Sequence, residues 1–194
     1  LKNGSTMWIV PEELFIFPKQ LISYLTDKCI NTIFWVPSAL TFVANSGMLD
    51  KLSHDQLPSL EKILFCGEVM HNKQLNIWRK TFKDALYANL YGPTEITDVC
   101  SCYVVDRTFE DSDPLPIGYP CNNTEILIIN ERNELVTEDE IGELCVRGEC
   151  LSLGYFKNQQ KTDEMFVQNP LNTKYRDLIY KTGDLAKYNN RGEI

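Results

Sequence analysis

Through residues 1–110, short apolar runs alternate with amphipathic ones. Thr6 to Val10, Thr32 to Val36, Lys62 to Cys66 and Ala85 to Tyr91 are rich in β-branched and aromatic residues and predict strands. Lys19 to Cys29 places Leu21, Ile22 and Leu25 at helical spacing. Pro37 to Asn45 opens with proline near a first turn, and Asn72 to Phe82 gives a further helical pattern. Strands alternating with helices predict an α/β fold: a parallel sheet with right-handed crossovers and flanking helices. In such sheets ligands gather beyond the C-terminal strand ends, where the turns Cys66-Gly67-Glu68 and Tyr91-Gly92-Pro93 fall.

The texture changes after Glu110. Asp111 to Pro120 is rich in Asp and Pro, and short β runs follow at Thr124 to Ile129, Glu143 to Arg147, Leu178 to Tyr180 and Leu185 to Tyr188. One helical stretch, Gln159 to Phe166, interrupts them. The expectation is an α/β subdomain over 1–110 and a smaller, mostly antiparallel β subdomain over 111–194, each partial. The chain starts with leucine and stops at Gly192-Glu193-Ile194 inside a strand-like pattern, so both ends read as cut. No internal repeat or low-complexity tract is visible.

With 43% hydrophobic residues the 194-residue chain can bury a real core. The net charge of -8 disfavours nucleic acid and anionic membrane as partners. An anionic ligand would therefore be held locally, by backbone amides, a metal ion and placed side chains. The seven cysteines, at 29, 66, 100, 102, 121, 145 and 150, lack the paired spacing of a zinc site. They read mostly as buried thiols in a reducing compartment, with the cytoplasm as the default. No run has the length of a membrane span, so membrane insertion is not expected.

Three motifs carry chemistry. Asn89-Leu90-Tyr91-Gly92-Pro93-Thr94-Glu95 follows a strand directly, and its Gly-Pro turn presents a hydroxyl and a carboxylate at the sheet edge. The hydroxyl can bond a phosphate oxygen and the carboxylate can hold Mg2+, a hard cation that prefers oxygen. A plain turn with solvent-facing Thr94 and Glu95 explains the motif equally well. The second runs from Gly142-Glu143-Leu144 through Arg147-Gly148 to Leu153-Gly154-Tyr155-Phe156; alone it says hairpins with close backbone packing. The third, Tyr180-Lys181-Thr182-Gly183-Asp184-Leu185, reads as a strand followed by a Gly-Asp turn. Its carboxylate could accept both hydroxyls of a ribose or be a simple turn aspartate.

In this order the three resemble the adenylate-forming superfamily, specifically the amino-acid adenylation domains of nonribosomal peptide synthetases and the D-alanine–carrier protein ligases. Leu60-Glu61-Lys62-Ile63-Leu64-Phe65-Cys66-Gly67-Glu68, Leu115-Pro116-Ile117-Gly118-Tyr119-Pro120 and Lys161-Thr162 with Phe166 extend the resemblance through nearly the whole chain. Leu64 to Glu68 is particularly similar to the D-alanine ligases.

The resemblance implies ATP and Mg2+ as cofactors, an amino acid as substrate and a carrier protein with a phosphopantetheine thiol as partner. It implies that Asn89 approaches the adenine amino group, Tyr91 stacks on adenine beside Gly92, and Asp184 binds the ribose hydroxyls. Thr94 would bond the α-phosphate and Glu95 would coordinate Mg2+, making these two the catalytic residues. The amino-acid pocket would be formed by Cys66, Gly67 and Leu90, with Asp98 or Val99 at its edge. Cys66 could equally be a core thiol at a strand end. Phe34 and Trp35, near the pocket, read as core because aromatic residues in a central strand mostly bury area. The family's phosphate loop would lie upstream of Leu1, the pocket aspartate that usually holds the substrate amine is missing, and the catalytic lysine and hinge would lie downstream of Ile194. The chain would then be an internal piece, inactive alone. The alternatives are an acyl-CoA ligase-type enzyme and a non-catalytic binding module. The identity and hand of the amino acid, the setting in a free-standing ligase or a synthetase, and the oligomeric state are not legible.

Overall fold

A computed structural model describes residues 4–52, 57, 59–137 and 139–194. Its helices are α1 (Glu13–Ile16), α2 (Pro18–Asp27), α3 (Pro37–Asn45), α4 (Asn72–Thr81) and α5 (Gln159–Met165). Its strands are β1 (Thr32–Trp35), β2 (Lys62–Cys66), β3 (Leu86–Tyr91), β4 (Ser101–Val104), β5 (Tyr119–Pro120), β6 (Thr124–Ile129), β7 (Gly142–Gly148), β8 (Phe166–Gln168) and β9 (Leu178–Ala186). A mixed five-stranded sheet has the order β1-β2-β3-β4-β5, with β4 antiparallel to both β3 and β5. A four-stranded antiparallel sheet has the order β6-β7-β9-β8. The α/β class with a smaller antiparallel sheet is thus as expected from the sequence.

The chain divides into two compact units, Leu1–Leu64 with Glu68–Tyr87 and Arg107–Asp113, and Phe65–Gly67 with Ala88–Asp106 and Pro114–Ile194. In the first, α2 and α3 each begin at proline, whose fixed φ suits a first helical turn and whose missing N–H is no loss there. Helix α2 buries Leu21, Ile22 and Leu25, the residues whose spacing predicts it. The Glu68 carboxylate caps α3: the Ser38 N–H donates to Oε2 at 2.8 Å and the Ser38 hydroxyl to Oε1 at 3.1 Å. A negative group there also opposes the positive end of the helix dipole. The buried Trp78 of α4 donates its indole N–H to the Leu40 carbonyl at 2.9 Å. The Tyr87 hydroxyl closes the end of α4 by donating to the carbonyls of Trp78 at 2.8 Å and Phe82 at 3.0 Å.

Two expectations for this unit fail. Thr6 to Val10 forms no strand. Met7, Trp8 and Ile9 are 65%, 45% and 82% exposed, an apolar run without the apolar-polar alternation that fits a half-buried strand. Phe34 and Trp35 are also not core. Phe34 is 49% exposed and only Ile33 of β1 is buried, while Trp35 is half-buried against the edge of Phe15 at 5.1 Å.

The second unit is built on alternation. Ile126, Ile128, Leu144, Val146, Phe166 and Tyr180 bury one face of the antiparallel sheet together with Ile96 and Cys100. Leu127, Ile129, Cys145 and Ile179 form a smaller cluster. Leu178 to Tyr180 and Leu185 to Tyr188 are expected as separate runs; Leu178 through Ala186 instead forms a single strand, β9, and Lys187 and Tyr188 lie beyond it. Opposite β7 its register changes between the pairs Glu143–Leu185 and Cys145–Lys181, so Thr182, Gly183 and Asp184 face Leu144 alone. This is a β-bulge, the device that re-aims side chains out of a ladder. The cysteines are less buried than expected: Cys66, Cys100 and Cys145 are buried, Cys102, Cys121 and Cys150 are intermediate, and Cys29 is exposed. Among the described residues no helix is long and apolar enough to cross a membrane.

Candidate functional site

Every residue singled out for the site, Cys66, Gly67, Asn89, Leu90, Tyr91, Gly92, Thr94, Glu95 and Asp184, lies in the second unit. The first part of the site is the turn that leaves β3. Tyr91 ends the strand, and its carbonyl accepts the Cys100 N–H at 2.8 Å, pinning the far end of the loop. Only glycine fits at 92, because a Cβ there would lie 2.2 Å from the Asp98 carbonyl oxygen and 2.9 Å from the Cys100 nitrogen. Pro93 is extended, and Thr94–Ile96 then forms a single 3₁₀ turn with Ile96 buried as its anchor. Thr94 is exposed and Glu95 half-buried at the start of that turn. Thr97, at φ 62°, closes it by donating its hydroxyl to the Cys150 carbonyl at 2.8 Å.

The second part is the bulge of β9. Gly183 has φ +79° and no atom within 4 Å of a would-be Cβ, so glycine serves the backbone angle and not the space. Thr182 fills the interrupted ladder, donating its hydroxyl to the Leu144 carbonyl at 2.7 Å and accepting the Asp184 N–H at 3.1 Å. The Gly183 N–H donates to Glu143 Oε1 at 3.2 Å, and Glu143 Oε2 also pairs with Lys181 at 2.8 Å. These bonds fix the bulge and leave Asp184 exposed.

The structure joins the two parts. The Tyr91 hydroxyl donates to Asp184 Oδ2 at 2.5 Å, linking residues 93 positions apart. Burial, followed by the neighbouring Asp184 carboxylate, holds the Tyr91 phenol well above its usual range, so it stays a donor. Asn89 is buried and donates its side-chain N–H to the Pro116 carbonyl at 2.8 Å, inside the Leu-Pro-Ile-Gly run. Glu95 Oε1 accepts the Tyr155 hydroxyl at 2.6 Å, and the Tyr180 hydroxyl lies 3.4 Å from that of Tyr155. The Tyr155 hydroxyl is the main reason the Glu95 carboxyl lies below its ordinary value; partial burial opposes it.

Cys66 and Gly67 close β2 beside the same turn. The Cys66 thiol is buried and is pushed up, first by burial and then by the Asp98 charge, while the N–H groups of Gly67 and Gly92 act against that. Gly67 is exposed at φ 93°, and Leu90 sits half-buried on β3 opposite Cys102. Tyr155, Tyr180, Thr182 and Glu143 belong to the site by contact, but sequence reasoning gave none of them a role. The signal for Tyr155 was its place in the glycine-punctuated run Leu153-Gly154-Tyr155-Phe156; nothing in the sequence paired it with Glu95. Together Tyr91, Asn89, Thr94, Glu95 and Asp184 offer a ring face, an amide, a hydroxyl and two carboxylates. That set suits a nucleotide with a hard cation.

The model of the family described as AMP-binding enzyme matches residues 1–156. Bacitracin synthase 1 of Bacillus licheniformis is 32% identical over 197 residues, covering 100% of this chain and 4% of that protein. A D-alanine–D-alanyl carrier protein ligase of Lactiplantibacillus plantarum is 35% identical over 169 residues, 87% of this chain and 33% of that protein. Among solved structures, holo-PA1221, a nonribosomal peptide synthetase protein containing adenylation and PCP domains, superposes with a TM-score of 0.79 at 25% identity. That match covers 91% of this chain and 30% of the other. The chain thus spans at most about a third of these relatives. With the family model matched over most of its length, the chain belongs to the AMP-binding enzyme family.

Proposed function

We propose that the chain is part of an ATP-dependent ligase that forms an aminoacyl-AMP and passes the acyl group to a phosphopantetheine thiol on a carrier protein. The observation that carries this reading is the Tyr91–Asp184 hydrogen bond, which puts a ring and a carboxylate at one place, as adenosine requires. On this reading adenine stacks on Tyr91, and its amino group donates to the side-chain oxygen of Asn89, whose N–H is held by Pro116. Asp184 accepts the ribose hydroxyls, and Thr94 donates to an α-phosphate oxygen.

Mg2+ fits the donor set: Glu95 is a hard oxygen ligand kept ionised by Tyr155, and Mg2+ needs only one or two carboxylates besides phosphates and water. When bound, Mg2+ neutralises phosphate charge. In the reaction an amino-acid carboxylate oxygen attacks the α-phosphorus, and the bond to pyrophosphate breaks. The carrier thiolate sulfur then attacks the acyl carbon, its proton having passed to solvent, and AMP leaves. Both steps depend on positioning and charge neutralisation more than on a protein nucleophile. Cys66, Gly67 and Leu90 supply the amino-acid pocket, and the cytoplasm supplies ATP and reduced thiols.

The test is ATP–pyrophosphate exchange by the full-length protein with amino acids and fatty acids side by side. Exchange driven by one or a few amino acids is expected. Exchange driven only by fatty acids would move the enzyme to the acyl-CoA ligase type, and none with either would leave a binding module.

A further inference from the structure

Tyr155 is held before its hydroxyl reaches Glu95. Its N–H donates to Thr162 Oγ1 at 2.9 Å, and that hydroxyl donates to the Asn158 carbonyl at 2.9 Å. Asn158 in turn caps α5, its Oδ1 accepting the Lys161 N–H at 3.0 Å. The Lys161 ammonium lies 4.2 Å from the centre of the Tyr155 ring, a cation–π contact, and the Phe166 ring meets it edge-on at 6.1 Å. Backbone, ring face and ring edge are therefore all fixed. Glu95 is tied at its backbone as well, its carbonyl accepting the Ser152 N–H at 2.8 Å. A carboxylate on a single 3₁₀ turn would otherwise sample several rotamers. Here one of its oxygens is taken by a phenol held through its backbone, ring face and ring edge.

We propose that Tyr155 is a positioning residue for Glu95: by holding Oε1 it presents the carboxylate to the cation of a metal–nucleotide complex in one orientation. The inference rests on the adenylating function above, in which Glu95 is the metal ligand. It gives a role to the Gly154-Tyr155 and Lys161-Thr162 segments, which α5 and its cap bring together. Hydrogen-bond partners of metal-binding side chains typically change metal affinity about 10- to 100-fold when removed.

The experiment measures Mn2+ affinity by electron paramagnetic resonance in the full-length protein with α,β-methylene-ATP, for wild type, Tyr155→Phe and Glu95→Gln, with melting curves alongside. Tyr155→Phe is expected to weaken Mn2+ binding about tenfold or more. In turnover it should raise the KM for Mg2+ while largely keeping kcat at saturating Mg2+. A purely structural tyrosine would lower the melting temperature and leave the Mn2+ affinity alone. That result, with Glu95→Gln still weakening Mn2+, overturns the positioning role and leaves the adenylating reading intact. Wild-type Mn2+ affinity in Glu95→Gln removes Glu95 as the metal ligand and overturns the positioning role with it, leaving the adenylating reading to the exchange assay. Should Tyr155→Phe fail to fold, Thr162→Ser and Thr162→Val give the same comparison. Serine keeps the hydroxyl and should keep the affinity, valine should lose it, and equal affinities refute the proposal.

Discussion

The two turns that carry the candidate site are built in opposite ways. The one after β3 is over-determined: Gly92 has backbone within 2.2 Å of its missing Cβ, the Tyr91 carbonyl holds Cys100, and Ile96 is buried. The bulge of β9 is open. Gly183 has nothing within 4 Å, and Asp184 projects into solvent with the Tyr91 hydroxyl on one oxygen. On the proposed reading the first turn serves phosphate and metal chemistry, which tolerates little misplacement and suits a turn locked by packing. On the proposed reading Asp184 meets a ribose, which needs only a correctly aimed carboxylate, and a bulge supplies that at little cost in packing.

The sharpest way to break this comparison is Gly92→Ala. The added methyl meets backbone, which cannot rotate away, so the expected loss of stability is about 3 kcal/mol or more, read by urea denaturation. A loss under about 1 kcal/mol would mean that the loop is not locked. Asp184→Ala comes next: it should weaken ATP binding by about tenfold or more, since each charge-assisted hydrogen bond is worth about 1.5–3 kcal/mol. Unchanged ATP affinity in calorimetry would remove Asp184 from the site.

Cys66 asks whether the packed turn also floors the amino-acid pocket. Cys66→Ala should let a longer amino acid compete, shifting relative specificity by roughly 10- to 200-fold across alanine, serine, valine and leucine in both hands. A lowered melting point with the same ranking would make Cys66 a core thiol only. The smallest effect is expected at Gly183→Ala, about 1–2 kcal/mol of backbone strain with no clash. A penalty matching that of Gly92→Ala would erase the difference between the turns.

Where periodicity reports burial, the sequence was readable. Pro37–Asn45, Lys62–Cys66 and Thr124–Ile129 begin and end where their patterns do, because proline, glycine and the apolar alternation act locally. Strand β9 was not readable as one element. Thr182-Gly183-Asp184 has turn composition, and only the ladder to β7 shows that the strand continues past it. Thr6 to Val10 failed for the converse reason: composition favours a strand, but strand formation needs a partner. For the candidate site, the motifs proposed Tyr91, Glu95 and Asp184 along the chain. Their pairings, Tyr91 with Asp184 and Glu95 with Tyr155, join residues 93 and 60 positions apart and are a property of the fold.

The most direct test of the central claim is a crystal structure of the full-length protein with an aminoacyl-sulfamoyl-adenosine. The account predicts adenine against the Tyr91 ring, both ribose hydroxyls on the Asp184 carboxylate, and the sulfamoyl group within reach of the Thr94 hydroxyl. A nucleoside bound with its ribose away from Asp184, or outside the second unit altogether, would contradict it.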